Sequence, residues 1–273
     1  MNDENVLISS IVFSVAQLKP TPSASDSLSD SGSATGFFYE RNNRLFLITC
    51  KHVLLDEGHI PTKLTMKLHI KDSKDLSELG VLSFNLYDED RAPIWFENDR
   101  DDIAIIALDK NQITSVFNIS AFSSKNHLPE DALIVPAEDV FLIGYPLGFF
   151  DKSNNLPIFR HANIASHFGV PYGGDQIFLT DGKLHEGLSG APIVTNPKGP
   201  LLDKNHILVL RDGENYFILG VHCGGFKSEN MTAKDNTDLG LGRAVYIQIV
   251  DRIIDENQKS IDTVRFDSTL LKS

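Results

Sequence analysis

An all-β fold is predicted for this 273-residue chain, and three observations predict it. Short apolar runs recur along its length, each bounded by Gly, Pro, Asn, Asp or Ser, which is the pattern of a β-sandwich or barrel. Helical periodicity is confined to one short turn and one segment near the end. Hydrophobic residues make up 41% of the chain and charged residues 23%. That ordinary globular composition excludes collagen-like, coiled-coil and wholly disordered readings.

The first strand is expected at Leu7–Gln17. The residues before Val6 are Met-Asn-Asp-Glu-Asn, acidic where a secretory leader is basic, so this apolar run is not read as a signal peptide. Ser23–Ser33 (SASDSLSDSGS) reads as a polar loop. Further strands are expected at Ala34–Glu40, Arg44–Thr49, Leu64–Ile70, Val81–Tyr87 and Ile103–Leu108. A second set follows at Val140–Gly144, Ile158–Ser166, Gln176–Leu179, Ala191–Thr195, Ile207–Arg211, Tyr216–His222 and Gly242–Ile247. A short helical turn is expected around His52–Leu55. A helix is expected over Ile247–Asn257, where Ile249, Val250, Ile253 and Ile254 fall at helical spacing.

Acidic residues outnumber basic ones by 37 to 25, a net charge of −12. A general nucleic-acid binder carries the opposite sign, so no nucleic-acid partner is expected. No apolar run reaches the ~18–20 residues of a membrane span, so no membrane partner is expected either. The two cysteines, Cys50 and Cys223, are too few for a disulfide-stapled secreted domain. They read as reduced thiols and point to the cytoplasm. The histidines outside the segments below show no metal-ligand spacing, and no metal or other cofactor is implied.

Three segments carry chemistry. Phe46–Leu54 is a strand ending in His52. Asp101–Leu108 is an apolar strand opened by acids. Glu186-Gly-Leu-Ser189-Gly-Ala-Pro places a serine in a glycine-flanked turn. A serine hydroxyl is a poor nucleophile until a base takes its proton. A neutral histidine does this near pH 7, and a carboxylate fixes the imidazole tautomer. Gly187 lets the backbone turn so that the amides of Gly187 and Ser189 aim at one developing oxyanion. Side chains alternate along a strand, so Asp101 and Asp102 face opposite ways, and Asp102 is the expected partner of His52.

These residues resemble the chymotrypsin-fold, or trypsin-like, serine peptidases, and among them the bacterial HtrA/Deg-type protease domains. The similarity spans roughly Ala34 to Asp255. It is carried by Ala34-Thr-Gly-Phe-Phe, Leu47-Ile-Thr…His52-Val, Asp102-Ile-Ala, Phe141-Leu-Ile-Gly-Tyr-Pro-Leu-Gly148, Thr180-Asp181…Gly187-Leu-Ser-Gly190, and Ile218-Leu-Gly-Val-His222…Gly224-Gly225. Each motif is weak alone, and their shared order is strong. The resemblance implies two packed antiparallel β-barrels with a C-terminal helix. Residues 1–33 would form an N-terminal strand and Ser-rich loop, 34–124 the first barrel with His52 and Asp102, and 125–258 the second barrel with Ser189 and the helix. Residues 259–273 would form a tail. The second barrel and its helix leave no room for an attached PDZ domain. No cysteine follows His52 closely, so the disulfide that braces this histidine in secreted relatives is missing.

The function implied is a serine endopeptidase acting on protein or peptide substrates through His52, Asp102 and Ser189, with an acyl-enzyme intermediate. The alternative is a catalytically silent peptide-binding module, or an interaction module in a bacterial stress or antiviral system. Regulation by a partner protein is left open. On the substrate side, the resemblance assigns Lys183 and Leu184 to the pocket beside Ser189, and Gly220, Val221 and His222 to the strand that pairs with substrate. Arg243 reads as solvated surface. A Leu184 floor with Lys183 turned outward implies cleavage after aliphatic residues, an inward Lys183 with Glu186 nearby would admit acidic ones, and the expected order is aliphatic first, acidic second and basic last.

Overall fold

The computed structural model describes residues 8–21, 32–55, 60–209, 215–226, 239–258 and 267–271, the last stretch as backbone only. The expected loop at Ser23–Ser33 lies almost wholly outside the described residues.

In chain order the first half holds β1 (Val15–Thr21), β2 (Ala34–Arg41), β3 (Arg44–Thr49), β4 (Lys63–His69), β5 (Leu79–Asn85), β6 (Trp95–Phe96), β7 (Ala104–Leu108) and β8 (Phe122–Ser123). The second holds β9 (Ala132–Leu133), β10 (Asp139–Gly144), β11 (Ile158–Ile164), β12 (Ile177–Asp181), β13 (Pro192–Thr195), β14 (Leu201–Asp203), β15 (Leu208–Val209), β16 (Ile218–Gly225) and β17 (Leu241–Tyr246). A last strand, β18 (Asp267–Leu271), returns to the first half.

The first half is one curled sheet with the path β18-β5-β4-β1-β2-β3-β7-β6. β1 bends it: Val15–Leu18 pair with β2, while Lys19–Thr21 pair with β4. Beyond the stretch covered by β1, the parallel β8 pairs with Tyr39 and Glu40 of β2. Asn42 and Asn43, at φ 53° and 59°, close the β2–β3 hairpin with the left-handed pair that suits strand twist. β3 and β7 are covered on both faces, whereas β4 and β5 alternate buried with half-buried or exposed positions.

The second half is a closed barrel, β10-β11-β12-β17-β16-β13. Beside it β9, β14 and β15 form a small separate sheet. A helix at Ile247–Glu256 follows β17 and buries Ile247, Ile249, Val250, Ile253 and Ile254. It ties back to the first sheet. Arg41 reaches Asp251 at 2.9 Å and Asp255 at 2.6 Å, and the Tyr39 hydroxyl donates to Asp251 at 2.7 Å. This is a chymotrypsin-like two-barrel architecture with a C-terminal helix, its first barrel a curled half-barrel open along its ladder.

The structure moves several expected elements. The strand expected from Leu7 begins as a 3₁₀ turn, Ser10–Ser14, and extends only from Val15. Ile11 and Ser14 are buried three residues apart, the repeat of a 3₁₀ turn. A helix at Lys110–Val116 was not expected. Only Ile113 in it is buried, so no period is legible, but Asp109 caps it by accepting from the Gln112 amide at 3.0 Å. Of the strand expected at Ile207–Arg211, Leu208–Val209 is extended, and residues 210–211 lie outside the described residues.

Candidate active site

His52 lies on a single helical turn, Lys51–Leu54, directly after β3. Its backbone amide donates to Asp102 Oδ1 at 3.0 Å, and its Nδ1 pairs with Asp102 Oδ2 at 2.7 Å. Its Nε2 lies 2.9 Å from Ser189 Oγ. Asp102 thus grips both backbone and ring of His52. The neighbouring Asp101 faces away, accepting from Asn98 Nδ2 at 2.8 Å; both acids precede β7, which begins at Ala104.

Ser189 sits in a turn that both halves hold. Thr35 of β2 donates its amide to Ser189 O at 2.9 Å and its hydroxyl to Gly187 O at 2.7 Å. The same hydroxyl accepts from the Tyr145 amide at 3.1 Å. On the other side, Gly190 N donates to His222 O at 2.8 Å, and His222 N donates to Ala191 O at 2.9 Å. Gly187 and Gly190 have φ of 89° and 86°. A Cβ at Gly187 would run into Tyr145 O, and one at Gly190 into Thr35 O, so the turn demands glycine at both positions. The amides of Gly187 and Ser189 donate to none of the described residues and are available to an oxyanion.

Arg243 enters the site although the sequence reading placed it in solvent. Its NH2 donates to Asp102 Oδ2 at 3.2 Å, the same oxygen that pairs with His52. The signal was available in the alternation of β17. Gly242 and Ala244 turn inward, so the arginine between them must point out of the barrel wall.

The substrate-side expectations divide. Lys183 is exposed, with its carbonyl accepting from Arg160 at 2.7 Å, while Leu184 packs half-buried against the core. Gly220, Val221 and His222 are buried and paired on both edges, with β13 for the first two and with β17 for all three. The carbonyl and amide of His222 are also engaged by the turn that carries Ser189. These three residues therefore have no free ladder edge for a substrate backbone, which corrects that part of the sequence reading. The β16–β17 ladder is irregular beyond them, between His222 and Gly225, where Gly224 has φ 97°, and the β13–β16 ladder shifts just before them, between Ile193 and Val194.

Cys50 and Cys223 are both free thiols, with their sulfurs 3.3 Å apart. Burial pushes the Cys50 thiol well up. Cys223 Sγ also lies 3.4 Å from Asp102 O. Cys50, His52 and Asp102 form the one cluster of metal-type ligand atoms among the described residues. Each already has a partner in the network above, and the Arg243 cation bonds Asp102 Oδ2. The set fits a proton-transfer chain better than a metal site. His222 is 2% exposed. Burial first, then the nearby His52 and Arg243, lowers its pKa to about 4, so it is neutral at pH 7.

A family profile described as a trypsin-like peptidase domain matches residues 34–202. The chain belongs to this family. Two solved structures are similar to this trypsin-like peptidase domain. One is the inactive form of a serine-to-alanine mutant of Rv3671c from M. tuberculosis. It is 15% identical at a TM-score of 0.45, and 96% of this chain and 94% of that one are covered. The other is a thermostable serine protease, AL20, from an extremophilic microorganism. It is 10% identical at a TM-score of 0.49, with 92% and 99% covered. No curated protein matches the chain.

Proposed function

We propose that this trypsin-like peptidase domain is a serine endopeptidase using His52, Asp102 and Ser189. The observation that carries the reading is the unbroken chain of contacts from Asp102 to His52 at 2.7 Å and from His52 to Ser189 at 2.9 Å. Ser189 Oγ attacks the scissile carbonyl as His52 Nε2 takes its proton. Asp102 holds the tautomer and stabilises the imidazolium. The amides of Gly187 and Ser189 receive the oxyanion, each such donor contributing ~3–4 kcal/mol to the transition state. His52 then returns the proton to the leaving amine, and water repeats the sequence on the acyl-enzyme. The two unbridged thiols suit a reducing compartment such as the cytoplasm.

A fluorophosphonate probe tests the reading, because only an activated serine is labelled. Wild-type protein should label at Ser189 and digest denatured casein. Ser189→Ala and His52→Ala should do neither. A peptide-binding module without catalysis would leave the wild type at the level of these variants and would overturn the proposal.

A further inference from the structure

Two nucleophilic side chains take no part in the reaction described above. Cys50 directly precedes the helical turn that carries His52 and is 0% exposed. Cys223 follows His222 in β16 and is 5% exposed. They are the only cysteines of the chain. They stand 173 residues apart and in opposite halves of the fold, yet their sulfurs lie 3.3 Å from one another. Each sulfur is also set against a carbonyl of the other half. Cys50 Sγ lies 3.2 Å from His222 O, and Cys223 Sγ lies 3.4 Å from Asp102 O. The pair therefore crosses the boundary between the halves at the level of the His52, Asp102 and Ser189 contacts.

We propose that Cys50 and Cys223 are an oxidation site, which a peroxide converts to a disulfide that clamps the two halves together. The site stands on the thiol geometry and does not need a catalytic Ser189. Its effect on activity rests on the peptidase reading above.

The two thiols have separate parts in the chemistry. Cys223 is the less buried and meets the peroxide first. Its sulfur gives up a proton and attacks; an S–O bond forms and the O–O bond breaks. The departing hydroxide takes that proton and leaves as water. The sulfur has lost two electrons to the peroxide and is now a sulfenic acid. Cys50 then attacks the Cys223 sulfur; the S–S bond forms and the S–O bond breaks, and the Cys50 proton leaves with the oxygen as a second water. Two thiols and one peroxide thus give one disulfide and two waters. Burial keeps the Cys50 thiol protonated, which suits the partner that reacts second.

The product fits the place. A disulfide holds its sulfurs ~2.05 Å apart, so the pair closes by about 1.2 Å. The contacts of His52 with Asp102 at 2.7 Å and with Ser189 at 2.9 Å are already formed with the thiols in position. One end of the new bond lies two residues before His52. The other lies beside His222, whose peptide is bonded to Gly190 and Ala191 in the turn that carries Ser189. Oxidation therefore links the base to the nucleophile covalently, through the residues that already position each.

The test treats folded wild type and Ser189→Ala with a small excess of hydrogen peroxide. Both should lose the mass of two hydrogens and yield a linked Cys50–Cys223 peptide on digestion without reductant, and dithiothreitol should reverse both changes. The melting temperature should rise by about 10 °C on oxidation, because a cross-link that closes a long loop restricts the unfolded chain most. Cys50→Ala and Cys223→Ala should show neither the linked peptide nor the rise. Oxidised wild type should keep its fluorophosphonate labelling at a temperature where the reduced form has lost it. Intact thiols after treatment, sulfinic acid at Cys223 in place of the bridge, or a bridge between two molecules overturns the site. A bridge without a rise in melting temperature overturns the clamp. Labelling lost on oxidation at a temperature where the reduced form labels overturns the link to activity. Absence of labelling in both forms, with bridge and melting shift intact, overturns the peptidase and leaves the oxidation site standing.

Discussion

The two halves differ in how fully their buried polar groups are bonded. In the curled first sheet these groups are engaged in structure. The Thr35 hydroxyl serves Gly187 O and Tyr145 N, Thr49 Oγ1 donates to Thr35 O at 2.9 Å, and His69 Nε2 meets Asn154 O at 2.7 Å. All four buried unpartnered side-chain atoms among the described residues, Arg160 Nε, Thr180 Oγ1, His222 Nδ1 and Arg243 Nε, belong to β11, β12, β16 and β17 of the closed barrel. Both halves bury large apolar cores, so the contrast does not come from size. The first half holds His52 and Asp102 and grips the turn that carries Ser189. The second supplies Ser189 and holds the four unpartnered atoms in its wall.

The triad gives the sharpest break. Ser189→Ala and His52→Ala should each lower kcat by roughly 10⁴–10⁶, with the double variant little worse, because such residues act as a unit. Peptide kinetics on pure protein check this, and wild-type turnover by Ser189→Ala would remove the whole contrast between the halves.

Next in size is the pH response of the second barrel. The folded pKa of His222 is about 4, below the ordinary histidine value of 6.5. The unfolded chain therefore binds the proton first as pH falls. Stability should be full above about pH 6.5 and decline between about 6.5 and 4, by up to about 3 kcal/mol from this residue. Melting temperatures of wild type and His222→Gln across that window measure it. The variant should show a flatter curve, and parallel curves would contradict the assignment.

Thr35→Val probes the grip of the first half. It keeps the shape but strips the hydroxyl from Gly187 O and Tyr145 N, at a cost of about 2 kcal/mol. At ~2–4 °C per kcal/mol for a chain of this size, the melting temperature should fall by about 4–8 °C. An unchanged melting point would show that the two halves are held together elsewhere.

Arg243→Ala should have the smallest effect. The guanidinium bonds Asp102 Oδ2 at 3.2 Å, but its side chain is 40% exposed and screened by solvent. A loss of about 1 kcal/mol predicts a fall of about fivefold in kcat/KM. Arg243→Lys should restore part of it. Activity at or above wild type in Arg243→Ala would show that the arginine does not help to hold the acid.

What the sequence determined by itself is local in origin. Short apolar runs bounded by turn residues marked most strands. Asp102 was separated from Asp101 by an expected strand alternation, although both acids lie just before β7, which begins at Ala104. Glycine at 187 and 190 announced a turn that side chains could not make, and the isoleucines after Tyr246 announced a helix. The order His52, Asp102, Ser189 was legible because each residue sits inside its own short pattern. What only the tertiary structure decided depends on strands distant in sequence meeting in one wall. Arg243 reaches Asp102 because β17 closes the second barrel beside the cleft. Gly220, Val221 and His222 lose their free edge because β13 and β17 take both sides of β16. The meeting of the Cys50 and Cys223 sulfurs is set by the packing of one half on the other, between strands that no local pattern relates. A side chain's face follows from its neighbours in sequence, but its partner follows from which strand lies alongside.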